Sequence, residues 1–178
     1  MVDSPVGDMP LDFPPPDAPP LLRRFLAFWF RVRGNRRAPD FVELDPVEMP
    51  WALRTIFVVE RHADGRLTYR IVGGGMSDRL GGGLVGKTAE DIFETEYAGR
   101  VNARWNRVLD EPALCYAVTR HLTRSGQALQ ARRLLAPARS STGRIDRVVG
   151  VSAFDQGHFE AGSGIDGGIE IDVRWRSL

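Results

Sequence analysis

Residues 81–88, Gly-Gly-Gly-Leu-Val-Gly-Lys-Thr, spell the pattern of a phosphate-binding loop and contain the only lysine, Lys87. Such a loop binds phosphate when a buried parallel strand leads into it and a helix begins directly after the lysine and threonine. Residues 76–80, Met-Ser-Asp-Arg-Leu, are not strand-like, and residues 89–93 are short for a supporting helix. The sequence therefore favours glycine turns between short helices and a solvated Lys87. A nucleotide-binding protein that uses Gly81–Thr88 is kept as an alternative.

Other residue types that commonly perform chemistry are scattered. His62, His121 and His158 lie far apart, and Cys115 is the only cysteine, so an intrachain disulfide and a cysteine zinc site are excluded. No paired carboxylates, Ser-His-Asp set or Cys-His pair appear at a recognisable spacing. We expect no metal site and no catalytic residues, and hence a non-enzymatic protein.

Composition limits the classes of partner. The chain has 178 residues, 43% hydrophobic residues and a net charge of +1, which fits one domain with a core and gives no indication of a nucleic-acid partner. No apolar run reaches the roughly 20 residues of a membrane span. The N-terminus lacks a basic patch followed by an apolar stretch, so we expect a cytoplasmic protein.

The N-terminal third consists of a proline-rich lead and a helix. Residues 1–20 are dense in proline and acid, which predicts disorder. Residues 21–34 form an amphipathic helix that Gly34 can end. Its aromatic residues lie nearly all around it and predict a homodimer interface: Phe25, Phe28, Trp29 and Phe30. The alternatives are that this helix folds back on its own sheet or lies on a membrane surface.

The remaining elements predict an α+β fold. Residues 55–61 and 66–73 form a hairpin, short helices lie within 73–93, a longer helix covers 95–110, and three strands follow before residue 155. This order fits a five-stranded antiparallel sheet with helices on one face. The glycine-rich tail, residues 156–178, is expected to be flexible, or a strand only if it meets a sheet edge.

Four segments carry a resemblance to a known family: FWFRVRGNRRAP (28–39), LDPVEMPWAL (44–53), YRIVGGG (69–75) and GGGLVGKT (81–88). In element order and in these motifs the chain resembles a PAS domain, and more closely a subfamily of stand-alone bacterial PAS-domain proteins of unknown function. The resemblance covers residues 21–155, with the PAS-like domain itself at 35–155. It assigns the glycines of 81–88 to a structural turn.

A PAS domain implies a cavity between the sheet and the helices that can hold a small molecule. The candidate lining residues are Tyr97, Val101, Arg104, Trp105, Tyr116, Val118 and His121. Arg104 could bind an anion, although these side chains could also simply fill a core. Neither haem nor a flavin photosensor is expected, since residues 95–110 lack histidine and Cys115 lies on a strand; the cofactor is left unknown.

The resemblance further implies a sensory or regulatory module that binds a small molecule, relays protein contacts, or does both. In relatives a helix at the position of 21–34 often forms a homodimer. We expect the output of this chain to pass to a separate signalling protein or through the tails. A ligand-free scaffold with a filled core is the remaining alternative.

Overall fold

The computed structural model describes residues 12–123, 126, 128–155 and 165–178. Two single-turn 3-10 helices, Phe41–Glu43 and Pro50–Ala52, precede the first strand. The other elements, in chain order, are α1 Pro20–Arg33, β1 Ile56–Arg61, β2 Leu67–Val72, α2 Gly74–Leu80, α3 Thr95–Asp110, β3 Ala113–Thr123, β4 Ala128–Arg139, β5 Ile145–Phe154 and β6 Ile165–Ser177. Within the described ranges no helix is long and apolar enough to cross a membrane.

All the strands join one sheet in the order β2-β1-β5-β4-β3-β6, and every neighbouring pair is antiparallel. This confirms the α+β, PAS-like architecture. The sheet has six strands rather than the predicted five. Antiparallel neighbours exclude the parallel strand–loop–helix setting that a phosphate-binding loop requires.

The additional strand corrects the expectation of a flexible tail over 156–178 in favour of its alternative, a strand that forms where the tail meets a sheet edge. Residues 165–177 pair along the whole of β3, from Ala113 opposite Ser177 to Thr123 opposite Ile165. Residues 156–164 lie outside the described residues. The run Ile169–Trp175 alternates apolar and charged residues, which is the pattern of a strand at a sheet edge.

Both faces of the sheet are covered, so the prediction of helices on one face holds only for α2 and α3. Helix α1 packs on the opposite face, where it meets β4 and β5. Each strand therefore sends alternate side chains into two separate apolar cores. On β3, Leu114 and Tyr116 enter the α1 core, whereas Cys115 and Ala117 enter the α3 core.

The segment before α1 is partly ordered, which corrects the predicted disorder of residues 1–20. Phe13 and Ala18 are buried in the α1 core. Arg23 donates hydrogen bonds to the backbone carbonyls of Pro15 and Ala18 at 2.8 and 3.1 Å, which fixes the lead against the helix. Residues 1–11 lie outside the described part of the chain.

Candidate functional site

A small cavity lies between α2, α3 and the sheet, where a PAS ligand is expected. Its volume is about 20 Å³, which accommodates about one water-sized species. The wall is mostly aromatic and aliphatic and includes two charged side chains: Phe57, Tyr69, Met76, Leu80, Phe93, Tyr97, Val101, Arg104, Trp105, Ala117, Arg133 and Leu135.

Arg133 brings a positive charge into this cavity from the middle of β4. Its side chain is 8% exposed, and its guanidinium donates a hydrogen bond to the hydroxyl of Thr119 on β3. No carboxylate pairs with Arg133 among the residues that the structure describes. Burial lowers the pKa of Arg133, yet a guanidinium stays protonated in proteins. The cavity wall therefore carries a buried cation without an anionic partner in the described chain.

His121 lies two residues after Thr119 on the same face of β3, and its ring contacts both Thr119 and Arg133. Its Nε2 lies 3.2 Å from Arg133 and 3.0 Å from the Thr119 hydroxyl. Because arginine can only donate, Nε2 accepts and the ring proton belongs on Nδ1. Burial, and then the charges of Arg133 and Arg104, lower the pKa of His121 well below its usual range. His121 is thus a neutral imidazole whose Nε2 is already occupied.

Arg104, on α3, supplies the second cation and is paired. Its guanidinium forms an ion pair with Glu170 of β6, whose side chain is 26% exposed. Arg100, one turn earlier, donates to the backbone carbonyl of Gly168 at 3.2 Å. Strand β6 therefore closes one side of the site, and its carboxylate compensates Arg104 while Arg133 stays uncompensated in the described chain.

The aromatic residues fix the shape of the cavity. Tyr69 and Trp105 meet edge to face with ring centroids 5.2 Å apart, and Tyr97 meets Phe93 in the same way at 5.1 Å. Tyr97 also contacts the His121 ring at 5.4 Å. Burial raises the pKa of Tyr69, so its phenol stays neutral. Taken together, the described residues form a narrow, aromatic-walled space with a net positive charge, which favours an anion over a cation.

Five of the seven residues predicted for the cavity lie on the α3 side of the sheet: Tyr97, Val101, Arg104, Trp105 and His121. Tyr116 and Val118 do not, and this corrects the prediction. Both are buried in the α1 core on the other face, because neighbouring residues of a strand point to opposite faces and β3 was assigned the wrong phase.

Sequence reasoning missed Arg133, Thr119 and Glu170. Arg133 could have been found by alternation, since it follows Ala131 and precedes Leu135 on the positions of β4 that face α3. An arginine on a buried face is rare unless it has a partner. Thr119 and Glu170 carry no comparable signal, because their roles depend on strand register.

The aromatic residues of α1 are buried inside the monomer, which removes the reason for placing a homodimer interface there. Phe25 and Trp29 have no exposed surface, and Phe28 and Phe30 are 7% and 6% exposed. The Trp29 indole donates to the backbone carbonyl of Pro137 on β4 at 3.0 Å. The alternative that this helix folds back on its own sheet is the arrangement observed.

Residues 81–88 form a structural turn. Gly81 ends α2 with φ 92°, and Gly86 donates to the carbonyl of Tyr69 at 2.7 Å. The backbone N–H of Thr88 is occupied by the carboxylate of Asp91 at 2.8 Å, and Lys87 is exposed. The next helix after Thr88 begins at Thr95. The arrangement lacks a helix N-terminus directed at a phosphate, so the nucleotide-binding alternative has no structural support. Within the described ranges no group of three His, Cys, Asp or Glu residues could hold a metal ion.

Comparison with known proteins agrees with this architecture. Among solved structures, the fold is similar to Vibrio cholerae VqmA in its complex with ligand and DNA, with 12% identity over 62% of this chain and 50% of that chain and a TM-score of 0.51. It is also similar to VqmA bound to DPO, with 12% identity over 62% of this chain and 56% of that chain and a TM-score of 0.50.

The chain thus spans about half the length of the VqmA chains that it matches. A PAS domain from Colwellia psychrerythraea gives 11% identity over 61% of this chain and 96% of that chain, with a TM-score of 0.43. No curated protein matches the sequence.

At such low identities the similarity to solved structures shows the fold alone, and the family follows from the sequence match. A sequence model described as PAS domain matches residues 18–153, from just before α1 to the end of β5. That match includes the three helices that flank the sheet and the first five of its strands. This chain belongs to the PAS domain family.

Proposed function

We propose that this chain is a non-enzymatic sensory PAS domain that binds a small anionic molecule in the cavity between α3 and the sheet. The observation that carries the proposal is Arg133, which lines this cavity, is 8% exposed and has no carboxylate partner in the described chain. An unpaired buried charge costs several kcal/mol, and an anion at this position would offset that cost.

The hydrogen-bond pattern of Arg133 supports the same class of ligand. Thr119 and His121 accept from two of its nitrogens and hold the guanidinium in place. A guanidinium has five N–H donors, so further donors remain for a ligand. A positioned guanidinium matches planar oxyanions in two-point contacts.

The volume of the cavity limits the size of the ligand. About 20 Å³ fits one water-sized species, such as a monatomic anion, and is far below the roughly 300–1,000 Å³ of sites for drug-sized ligands. A larger anion would require α2 and the turn at residues 81–94 to move away from the sheet. Helix α2 is the shorter of the two helices in the wall, with 7 residues against 16 in α3.

The proposal extends to how the chain transmits a signal. We propose that the chain acts in the cytoplasm as a homodimer and passes its signal to a separate signalling protein. Membership of the PAS family supports a sensory role. Because the aromatic face of α1 is buried in the monomer, the proposed dimer uses a different surface.

A second candidate function is a ligand-free scaffold with a filled core. The specific observation that favours it is again the cavity volume of about 20 Å³, which a single ordered water could fill. The two candidates differ in whether Arg133 responds to anions.

The test is the melting temperature of the full chain in sodium chloride, nitrate and formate at one ionic strength, with gluconate as an anion too large for the cavity. A bound anion raises the free energy of unfolding by RT ln(1 + [L]/Kd), where [L] is the anion concentration and Kd its dissociation constant. We expect small anions to raise the melting temperature relative to gluconate, and Arg133→Gln to remove that difference.

Arg132→Gln is the matched control, because Arg132 is adjacent on β4 and its side chain points to the opposite face. It should keep the full response. If Arg133→Gln responds to small anions as the wild type does, or if the wild type does not respond, the anion site is rejected and the scaffold is favoured.

A further inference from the structure

Strand β6 ends the sheet and lies outside the part of the chain that matches the PAS family. It is 13 residues long, it pairs with β3 on one side, and no other described strand pairs with its outer side. The family match ends at residue 153, before β6 begins. A long exposed edge presents unpaired backbone N–H and C=O groups and is a template for pairing with another strand.

The side chains of β6 follow a self-complementary order of charge. Two acidic residues precede Val173 and two basic residues follow it in the run Glu170-Ile171-Asp172-Val173-Arg174-Trp175-Arg176. When such a strand pairs antiparallel with a second copy around Val173, Asp172 of each copy lies opposite Arg174 of the other. Opposite charges that face each other across strands stabilise the pair, and like charges destabilise it.

We propose that β6 pairs with β6 of a second copy across a two-fold axis at Val173, which joins the two sheets into one. Antiparallel pairing of identical edges requires an axis perpendicular to the sheet, so each face of one sheet continues into the same face of the other. Residues that face each other across the axis must therefore lie on the same face of their own sheets. Asp172 and Arg174 do, since both lie on the α1 face, opposite Val118 and Tyr116 of β3.

The exposure of these residues agrees with an interface that is open in the monomer. The side chains of Asp172 and Arg174 are 37% and 52% exposed and already pair within the strand at 2.8 Å. Ile171 is 49% exposed, an unusual value for isoleucine on a strand. In the dimer it lies opposite the partner's Trp175 and loses water contact.

An irregularity in β6 limits the length of the contact. The register with β3 shifts between Val118 and Thr119, so that Ile171 is an extra residue and Glu170 turns to the α3 face, where it pairs with Arg104. Regular pairing is therefore confined to about residues 171–175. An interface this short belongs to the small class, and we expect a dissociation constant in the micromolar range or weaker.

The test uses charge exchange in the full chain, followed by sedimentation velocity from about 10 to 500 µM, a range that brackets the expected dissociation constant. The wild type should show a concentration-dependent dimer. Arg174→Asp places two acidic residues opposite each other twice and should weaken the dimer about tenfold or more. Asp172→Arg should do the same with basic residues.

Two further samples test whether the single variants lose the dimer through charge repulsion or because they fail to fold. The double variant Asp172→Arg/Arg174→Asp restores opposite charges and should recover the dimer. A mixture of the two single variants should form a one-to-one heterodimer although each alone is monomeric. Arg70→Asp on β2, the other edge of the sheet, is the control and should dimerise as the wild type does.

A wild type that stays monomeric over this range overturns the proposal. A dimer that Arg174→Asp leaves unchanged also overturns the proposal, because the two copies would then contact each other through a surface other than β6. Failure of the double variant and of the mixture to recover the dimer counts against this register in the same way.

Discussion

Replacing Gly168 by alanine tests whether β6 closes the ligand site. A Cβ atom at residue 168 would lie 2.8 Å from Nδ1 of His121 and 2.8 Å from the ring of Tyr97. Both rings are fully buried and neither can swing into solvent. Adding a methyl group to a packed site of this kind costs about 1–3 kcal/mol.

Urea unfolding measures this cost. With an m-value of about 2 kcal/mol per M, the unfolding midpoint should fall by about 0.5–1.5 M. Gly99→Ala is the matched control, since Gly99 is exposed in α3 and an added Cβ meets nothing within 4 Å. That variant should gain up to about 1 kcal/mol from helix propensity. If Gly168→Ala unfolds at or above the wild-type midpoint, β6 does not pack on Tyr97 and His121, and the reasoning is wrong.

Three further predictions concern the core. Trp29→Ala should lower the free energy of unfolding by about 3–5 kcal/mol, because Trp29 is fully buried and its indole bonds to Pro137; a urea midpoint near the wild-type value would mean that α1 is not part of the monomer core. Because the pKa of His121 is lowered in the folded chain, below pH 6.5 this imidazole is protonated in the unfolded chain and stays neutral in the folded chain. The contribution of His121 to the free energy of unfolding is therefore fully present above pH 6.5, and as the pH drops below 6.5 it decreases by up to about 1.4 kcal/mol per pH unit. In His121→Gln the free energy of unfolding should decrease less steeply with falling pH, and equal slopes in the wild type and the variant would contradict a neutral His121. Burial raises the pKa of Cys115 to about 12, so a thiol reagent should modify it only after unfolding, and rapid labelling of the native chain would be inconsistent with the structure.

Local patterns in the sequence predicted the elements that depend on local physics. The apolar stripe of α3 gave its bounds, Thr95–Asp110, because a helix shows its buried face at a period of 3.6 residues. Gly34 ends α1 as predicted, with φ 56°. The turn chemistry of residues 81–88 was also readable, because positive φ angles at Gly82 and Gly86 need glycine.

The parts that failed depend on tertiary register. A one-residue error of phase on β3 moved Tyr116 and Val118 to the wrong face, since strand side chains alternate and both phases of this strand are apolar. Strand β6 was predicted only as the alternative to a flexible tail, because such a strand is stable only where β3 offers an edge. The burial of α1 could not be read from its sequence, because an aromatic surface can be covered by the chain itself or by a second molecule.

The most direct test of the account is a crystal of the full chain grown in sodium bromide, with anomalous diffraction recorded at the bromine edge. We expect an anomalous peak beside the guanidinium of Arg133 in the cavity under α3, and none there in Arg133→Gln. A cavity that holds only water beside Arg133, or a carboxylate of the chain itself paired with this guanidinium, would contradict it.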